Sequence, residues 1–428
     1  MKTLYRLLYI FVFMGFGVMQ PLIGLYLDEI GFTGGQIGII TAAGTFTAIF
    51  AAPFWGRQYS VLSMKDARDR TGRTSDASAG TGAFVDGAGG TRRYLLTATI
   101  FLCTAVVGLL LSQVTVFIGF LLLFVLLYFF QAPSSSLMDS LTIDEGLKFG
   151  HIRTFGAMGF AVACFGAAFL ADTWGAGMIF PIYAGGFLAA MCTVLLIRHR
   201  SRSGAGPKGH AADSKECSAG SEEYVASDPM TARALARRLL SNRLYVLLLA
   251  CAFFINGPDF ANNTYFNFLY LEGGGTVAGV GIAFLLMAGS EAPFMAASDW
   301  FCDRFGQGRI LLVAMVFSVV RFGLFSLGLP APLLIALFPL QGLVNGITLV
   351  EFVKFTARVV PKELRGIGIA VYYAVSSSIS TIVCQLIGGR LLDQGLFSLT
   401  GPQSVYIFFA FFNVVGVIIF LAAKLHKQ

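Results

Sequence analysis

The constraint that dominates this chain is its succession of apolar runs about as long as a bilayer is thick. A bilayer-spanning helix needs about 20 such residues, and lipid leaves only helices or closed barrels free of unsatisfied backbone groups. We place twelve spans at 7–27, 36–56, 94–112, 115–138, 151–171, 177–197, 244–271, 277–298, 309–328, 332–357, 364–391 and 403–423. Charged residues make up 12% of the 428, about half the usual share in soluble proteins, as lipid-facing helices require. The expected class is an all-α polytopic membrane protein. The first run is too long for a signal-peptide core and has no small-residue cleavage site, so it is expected to be a retained span.

Charge placement sets an orientation. Of the 30 Lys and Arg residues, 27 fall at the termini or in alternate connections. The opposite loops Asp28–Gly35, Ala171–Gly177 and Glu272–Thr276 hold none. By the positive-inside rule both termini are expected to be cytoplasmic. The seven cysteines avoid the predicted external loops, which argues against structural disulfides. The four histidines, His151, His199, His210 and His426, sit at cytoplasmic edges or in the central linker and assemble no metal site.

With residues at the fringe of a span counted among the connections, three Lys or Arg residues remain inside the spans: Arg321, Lys354 and Arg390. A charge at mid-bilayer depth costs about 2.5–3.5 kcal/mol on insertion scales, so such residues are rare and mark function. The stretch Val277–Phe322 carries Glu291 in one apolar run and Arg321 in the next. An acid and a base on neighbouring spans read as a pair, and a pair in that setting reads as ion coupling; the alternative is a pair that only fixes packing. Span seven is the least apolar, with Asn256, Gly257, Pro258, Asp259, Asn262, Asn263 and Asn267. Gly-Pro is expected to break its backbone ladder, and Asp259, Asn262 and Asn263 share one face. They line a cavity in one reading and an interfacial segment in the other.

Further polar residues are candidates for solute contact. Gln20 in span one either faces solute or is satisfied by a neighbouring helix. Span four ends with Gln131, Ser134, Ser135, Ser136 and Asp139, and span five opens with Arg153, which is either functional or a simple interfacial anchor. Tyr373, Ser377, Thr381 and Gln385 form a stripe in span eleven. Glu351 and Lys354 in span ten can pair three residues apart.

The chain also repeats itself. Span two ends in Ala51-Ala52-Pro53-Phe54 and span eight has Glu291-Ala292-Pro293-Phe294. Charged turns follow each, Asp69-Arg70-Thr71-Gly72 and Asp303-Arg304-Phe305-Gly306. Arg153-x-x-Gly156 opens span five as Arg365-x-x-Gly368 opens span eleven. Two related six-span halves, 1–197 and 244–428, are expected, with a solute site at their interface. The cytoplasmic linker 198–243 joins them, and the middle of 57–93 reads as a flexible insertion. The basic end of the linker suits lipid headgroups, and nothing points to nucleic acid.

Twelve spans with a duplicated D-R-x-G turn resemble the major facilitator superfamily. Within it, Phe149-Gly150-His151-Ile152-Arg153-Thr154-Phe155-Gly156-Ala157-Met158-Gly159-Phe160 resembles the span-five opening of lactose permease and phenylpropionate-permease-like symporters. Glu291 with the turn Cys302-Asp303-Arg304-Phe305-Gly306, Arg321, and Pro361-Lys362-Glu363-Leu364-Arg365 resemble the same group.

The resemblance implies proton coupling at Glu291 with Arg321 as its electrostatic partner, substrate contact at Arg153, and alternating access between the halves. Asp259 is added to the coupling set from its place in span seven. Ser136 and Phe160 stand where lactose permease has a sugar-binding Glu and a stacking Trp, and Asn345 where relatives often have a His. These departures point away from lactose itself.

The expected activity is proton-driven uptake of a sugar, nucleoside or aromatic acid across a bacterial inner membrane. Efflux is the first rival, and a membrane-embedded sensor or enzyme the second. No HExxH, no GxSxG and no nucleophile–base cluster is present, so an enzyme is not expected. No cofactor is expected beyond the proton gradient, nor partners beyond solute and bilayer, the protein working as a monomer.

Overall fold

The computed structural model describes residues 1–77, 91–145, 147, 149–202, 238–361 and 364–425, without the side chains of 67–77, 91, 149–151 and 202. The described residues are almost entirely helical, and the sole strand-like feature among them is a bridge between Leu396 and Leu399. Among the described residues, twelve helices are long and apolar enough to cross a membrane. They are span 1 (Lys2–Glu29), span 2 (Gly34–Asp66), span 3 (Arg92–Leu111), span 4 (Phe117–Asp144), span 5 (Ile152–Trp174) and span 6 (Ala176–Ser201). The second half supplies span 7 (Arg243–Glu272), span 8 (Val277–Phe305), span 9 (Gln307–Phe325), span 10 (Ala331–Val359), span 11 (Arg365–Gln394) and span 12 (Gly401–Ala422). The apolar runs expected from the sequence are all present as helices.

Four elements differ from expectation. The helix of span 2 runs on to Ala77, so Asp69, Arg70 and Gly72 are on helical backbone instead of in a turn. Lys, Arg and Ala there are good helix formers and no proline intervenes. The expected flexible stretch therefore begins as helix, and residues 78–90 lie outside the described residues. In the second half Asp303 and Arg304 are likewise in the last turn of span 8, and Gly306 ends that helix at a φ of +89°.

Span 7 is not broken at Gly257-Pro258; one helix runs from Arg243 to Glu272. Proline removes a ladder hydrogen bond there, and neighbouring hydroxyls re-satisfy freed carbonyls in membrane helices. Span 11 packs against this point, where the Ser380 hydroxyl donates to the Phe253 carbonyl oxygen, next to the Phe254 carbonyl that the proline leaves without its helical donor. Opposite, span 11 widens into a π-helix over Tyr373–Ile379. The breaks occur elsewhere: Pro133 divides span 4 into Phe117–Gln131 and Ser134–Asp144.

Packing groups the chain into two units. The first comprises Met1–Met19, Thr47–Ala163 and Met178–Ser218, with buried Tyr5, Tyr94, Phe101, Phe120 and Phe187 among its core. The second comprises Gln20–Phe46, Cys164–Gly177 and Ala219–Gln428. Its core near the termini is built on Tyr245, Leu248, Phe352, Phe355 and Tyr372. Six of the cysteines are described, and no disulfide joins them to one another.

Candidate functional site

Span 7 contributes Asp259 and span 9 contributes Arg321, and the Arg321 Nη2 donates to Asp259 Oδ1. Arg321 is fully buried and Asp259 is 7% exposed, so this ion pair is sealed inside the second unit. Removing two charges from water costs several kcal/mol per ion after relaxation, and only close geometry repays it. Neutral polar groups surround the pair. Asn262 Nδ2 donates to Gln341 Oε1 at 3.1 Å, and the Tyr406 hydroxyl donates to Asn262 Oδ1 at 2.7 Å. Asn413 donates to the Ser318 hydroxyl at 2.6 Å. Asp259 Oδ2, Arg321 Nε and Nη1 and Gln341 Nε2 have no protein partner. A buried cluster with unspent donors and acceptors has room to change its bonding, and a proton is the smallest change that would do so.

Arg321 is thus paired with Asp259 and not with Glu291 as the sequence led us to expect; no ion pair joins Glu291 to Arg321. The reason is which face each helix turns inward. Glu291 follows the seam between spans 8 and 10, where Gly342 and Gly346 let the backbones approach closely. A Cβ at Gly346 would lie 2.8 Å from the Glu291 carbonyl oxygen, and one at Gly342 2.9 Å from its amide nitrogen. Glu291 is half-buried on that seam beside Asn345, whose amide reaches the Met287 sulfur at 3.9 Å.

The first unit holds a second acid–arginine pair. The Tyr9 hydroxyl of span 1 donates to Asp139 Oδ1 of span 4 at 2.5 Å, and Arg153 Nη1 of span 5 lies 3.8 Å from Asp139 Oδ2. Here the side chains are open, 58% exposed for Arg153 and 24% for Asp139. Spans 1 and 5 meet closely beside it: a Cβ at Gly159 would sit 2.6 Å from the Ile10 carbonyl oxygen. Sequence reasoning placed the span-four substrate contact at Ser136. The structure puts a carboxylate one helical turn further on, at Asp139, with Ser136 exposed. Asp139 stood among the polar residues closing that span; what the sequence lacked was its pairing with Arg153.

The remaining candidates scatter. Gln20, Phe160, Asn263 and Ser377 are half-buried and Tyr373 is exposed. Asn262 is committed to Gln341 and Tyr406, which makes it a tie between spans 7, 10 and 12 in place of a wall residue of an open cavity. Glu351 and Lys354 do pair, at 2.9 Å, and Lys354 also binds Asp299. Gln307 donates to Glu351 at 2.8 Å. The first half has a matching network that sequence reasoning missed. Arg93 binds Asp144 at 2.5 Å, and Tyr59 and Tyr94 donate to Asp144 and Glu145 at 2.9 and 2.6 Å. Comparing spans 2, 3 and 4 with 8, 9 and 10 would have pointed to it.

Twelve helices, an internal repeat and intramembrane charge pairs fit the expected resemblance, and comparison with known proteins decides it. The MFS_1 like family matches residues 3–400. The chain belongs to that family. A maltose permease of Geobacillus stearothermophilus is 30% identical over 425 residues, covering 98% of this chain and 94% of the permease. A transporter of Bacillus subtilis (strain 168), YwbF, is 25% identical over 413 residues, covering 95% and 90%. Among solved structures, the nucleoside transporter NupG superposes with a TM-score of 0.74 at 18% identity, covering 99% of this chain and 98% of that one. The MFS fold is therefore established, and the chain is an integral membrane transporter of small molecules, not an enzyme.

Proposed function

We propose that this MFS protein is a proton-coupled symporter that takes up a sugar by alternating access, in a bacterial inner membrane with both termini cytoplasmic. The observation that carries the coupling is the sealed Asp259–Arg321 pair. A carboxylate buried in an apolar interior depends on its guanidinium partner, so gaining or losing a proton there changes the bonding of both helices that carry the pair. A proton arriving on Asp259 removes the charge that holds Arg321. The bonding of spans 7 and 9 then differs between the protonated and ionised states, which is what links proton binding to conformation. The orientation rests on the clustering of Lys and Arg in alternate connections.

For the solute, the Asp139–Arg153–Tyr9 group offers acceptors and donors to neighbouring hydroxyls of a sugar ring. Relatedness to a maltose permease along 98% of the chain favours a glucoside over the nucleoside or aromatic-acid readings.

The test is transport in proteoliposomes with an alkaline interior. Radiolabelled maltose is expected to accumulate under the pH gradient, and Asp259→Asn is expected to abolish accumulation while leaving counterflow. Uridine accumulating in its place would overturn the sugar reading. Solute that equilibrates without responding to the gradient would overturn the coupling. Accumulation that survives Asp259→Asn would move the coupling to Glu291.

A further inference from the structure

At the end of the bundle opposite the termini, spans of opposite sequence halves meet within the second unit. There the Asp393 carboxylate, at the close of span 11, accepts the first backbone N–H groups of span 2, from Gly34 and, at 2.7 Å, from Gly35. Asp172, at the close of span 5, accepts the first N–H of span 8, from Val277, at 3.0 Å. The first N–H groups of a helix have no partner within it and carry the positive end of its dipole, so each carboxylate meets both a free donor and a favourable field.

The two contacts are copies. Thr33 and Thr276 occupy the capping position, accepting from Gln36 at 3.3 Å and from Gly279 at 3.2 Å. The bonded amide follows one residue later in each case, and a glycine four residues beyond that. A Cβ at Gly281 would sit 2.7 Å from the Ala168 Cβ and 2.8 Å from the Cys164 carbonyl oxygen. A Cβ at Gly38 would overlap the Gln385 carbonyl oxygen and lie 3.2 Å from the Gly389 Cα. Ala168 and Gly389 each precede their aspartate by four residues, and Cys164 and Gln385 by eight. Two acids, two helix starts and two glycine contacts thus obey one register.

A neighbouring pair of acids shows what is special here. Glu29 and Glu272, each four residues before its capping threonine, accept from the Ala176 N–H at 3.2 Å and from the Thr400 hydroxyl at 3.1 Å. Each of those bonds stays within its own sequence half. The aspartates alone of these four acids join spans of opposite halves.

We propose that Asp172 and Asp393 form a duplicated latch that holds this end of the transporter closed, and that its release sets how often this end opens. Opening returns the carboxylates and the helix amides to water, so each latch contributes modestly and reversibly. Asp393 uses both oxygens and Asp172 one, which makes the span 2–span 11 latch the firmer. The proposal rests on the alternating-access reading, and its test needs neither solute nor a pH gradient.

In a cysteine-free background, spin labels at Ile39 and Leu386 report on spans 2 and 11, and labels at Phe169 and Ile282 on spans 5 and 8; all four side chains are exposed. Asp393→Asn is expected to raise the long-distance population about fivefold at low salt. Asp172→Asn should give a smaller rise and the double variant the largest. Glu29→Gln and Glu272→Gln should leave both distances as they are. Unchanged distances in the two single variants overturn the latch, even if the double variant fails to assemble. So does a widening of equal size in Glu272→Gln. Loss of proton-driven accumulation with these distance responses intact would instead count against the coupling reading alone.

Discussion

Two of the acid–arginine pairs among the described residues have the same chemistry in opposite surroundings. Asp259 and Arg321 are sealed, whereas Asp139 and Arg153 are open, with Arg153 58% exposed. Solvation decides what each can do. The open pair is loosely set at 3.8 Å and can trade its mutual attraction for hydrogen bonds to an arriving solute at little cost. The sealed pair cannot separate without leaving a bare charge in an apolar interior, so its state is tied to that of the helices that carry it.

The strongest test of that contrast removes one partner at a time. Arg321→Gln strands the Asp259 carboxylate and is expected to destabilise the protein by about 3–5 kcal/mol. Thermal melts in detergent should show a large loss of stability and yield, largely recovered in Arg321→Gln with Asp259→Asn, where no charge remains. If Arg321→Gln melts like the wild type, the pair is not sealed from water.

Asp139→Asn should do the reverse, with a melt close to wild type because Arg153 stays hydrated. Hydrogen bonds to charged groups are worth about 1.5–3 kcal/mol, so the half-saturating maltose concentration should rise tenfold or more. A variant with normal affinity would remove Asp139 from the solute site.

Glu291 sharpens the comparison from a third direction, since it is half-buried and has no ion-pair partner among the described residues. With no arginine stranded by its loss, Glu291→Gln is expected to shift stability by less than about 1 kcal/mol. Accumulation should persist if Asp259 is the coupling acid. Loss of accumulation with intact counterflow would assign the coupling to Glu291.

The architecture was legible in the sequence because apolar length and alternate-loop charge act locally along the chain. The repeat was legible for the same reason, since Ala-Pro-Phe followed by Asp-Arg-x-Gly recurs in the sequence of both halves. Pairing was less so. Glu291 and Arg321 are on adjacent spans, yet Arg321 turns toward Asp259, because the glycines at 342 and 346 draw Glu291 onto span 10. Helix rotation of that kind is set by contacts far away in sequence. Gly257-Pro258 misled in the same way: the packing around it comes from Ser380 of span 11, far away in sequence, which lies against Gly257 and donates to the Phe253 carbonyl oxygen.

The smallest expected effect compares equivalent places in the two halves near the termini. Lys354 bridges Glu351 and an Asp299 whose side chain is 78% exposed. An exposed ion pair is worth about 0–1 kcal/mol and is screened by salt. Asp299→Asn leaves the Lys354–Glu351 bond in place, so its melt should differ from wild type by no more than that and converge with it at high salt. The matching network of the first half is drier: Arg93 is nearly buried, and Asp144 also accepts from Tyr59. Asp144 itself is exposed, but Asp144→Asn leaves the nearly buried Arg93 held by Glu145 at 3.9 Å, so it should cost more, on the order of 1–3 kcal/mol, and the share that comes from Arg93 should resist salt. Equal melts for the two variants would mean that the repeat preserves the energetics of this network as well as its placement, and that burial is not what separates the halves.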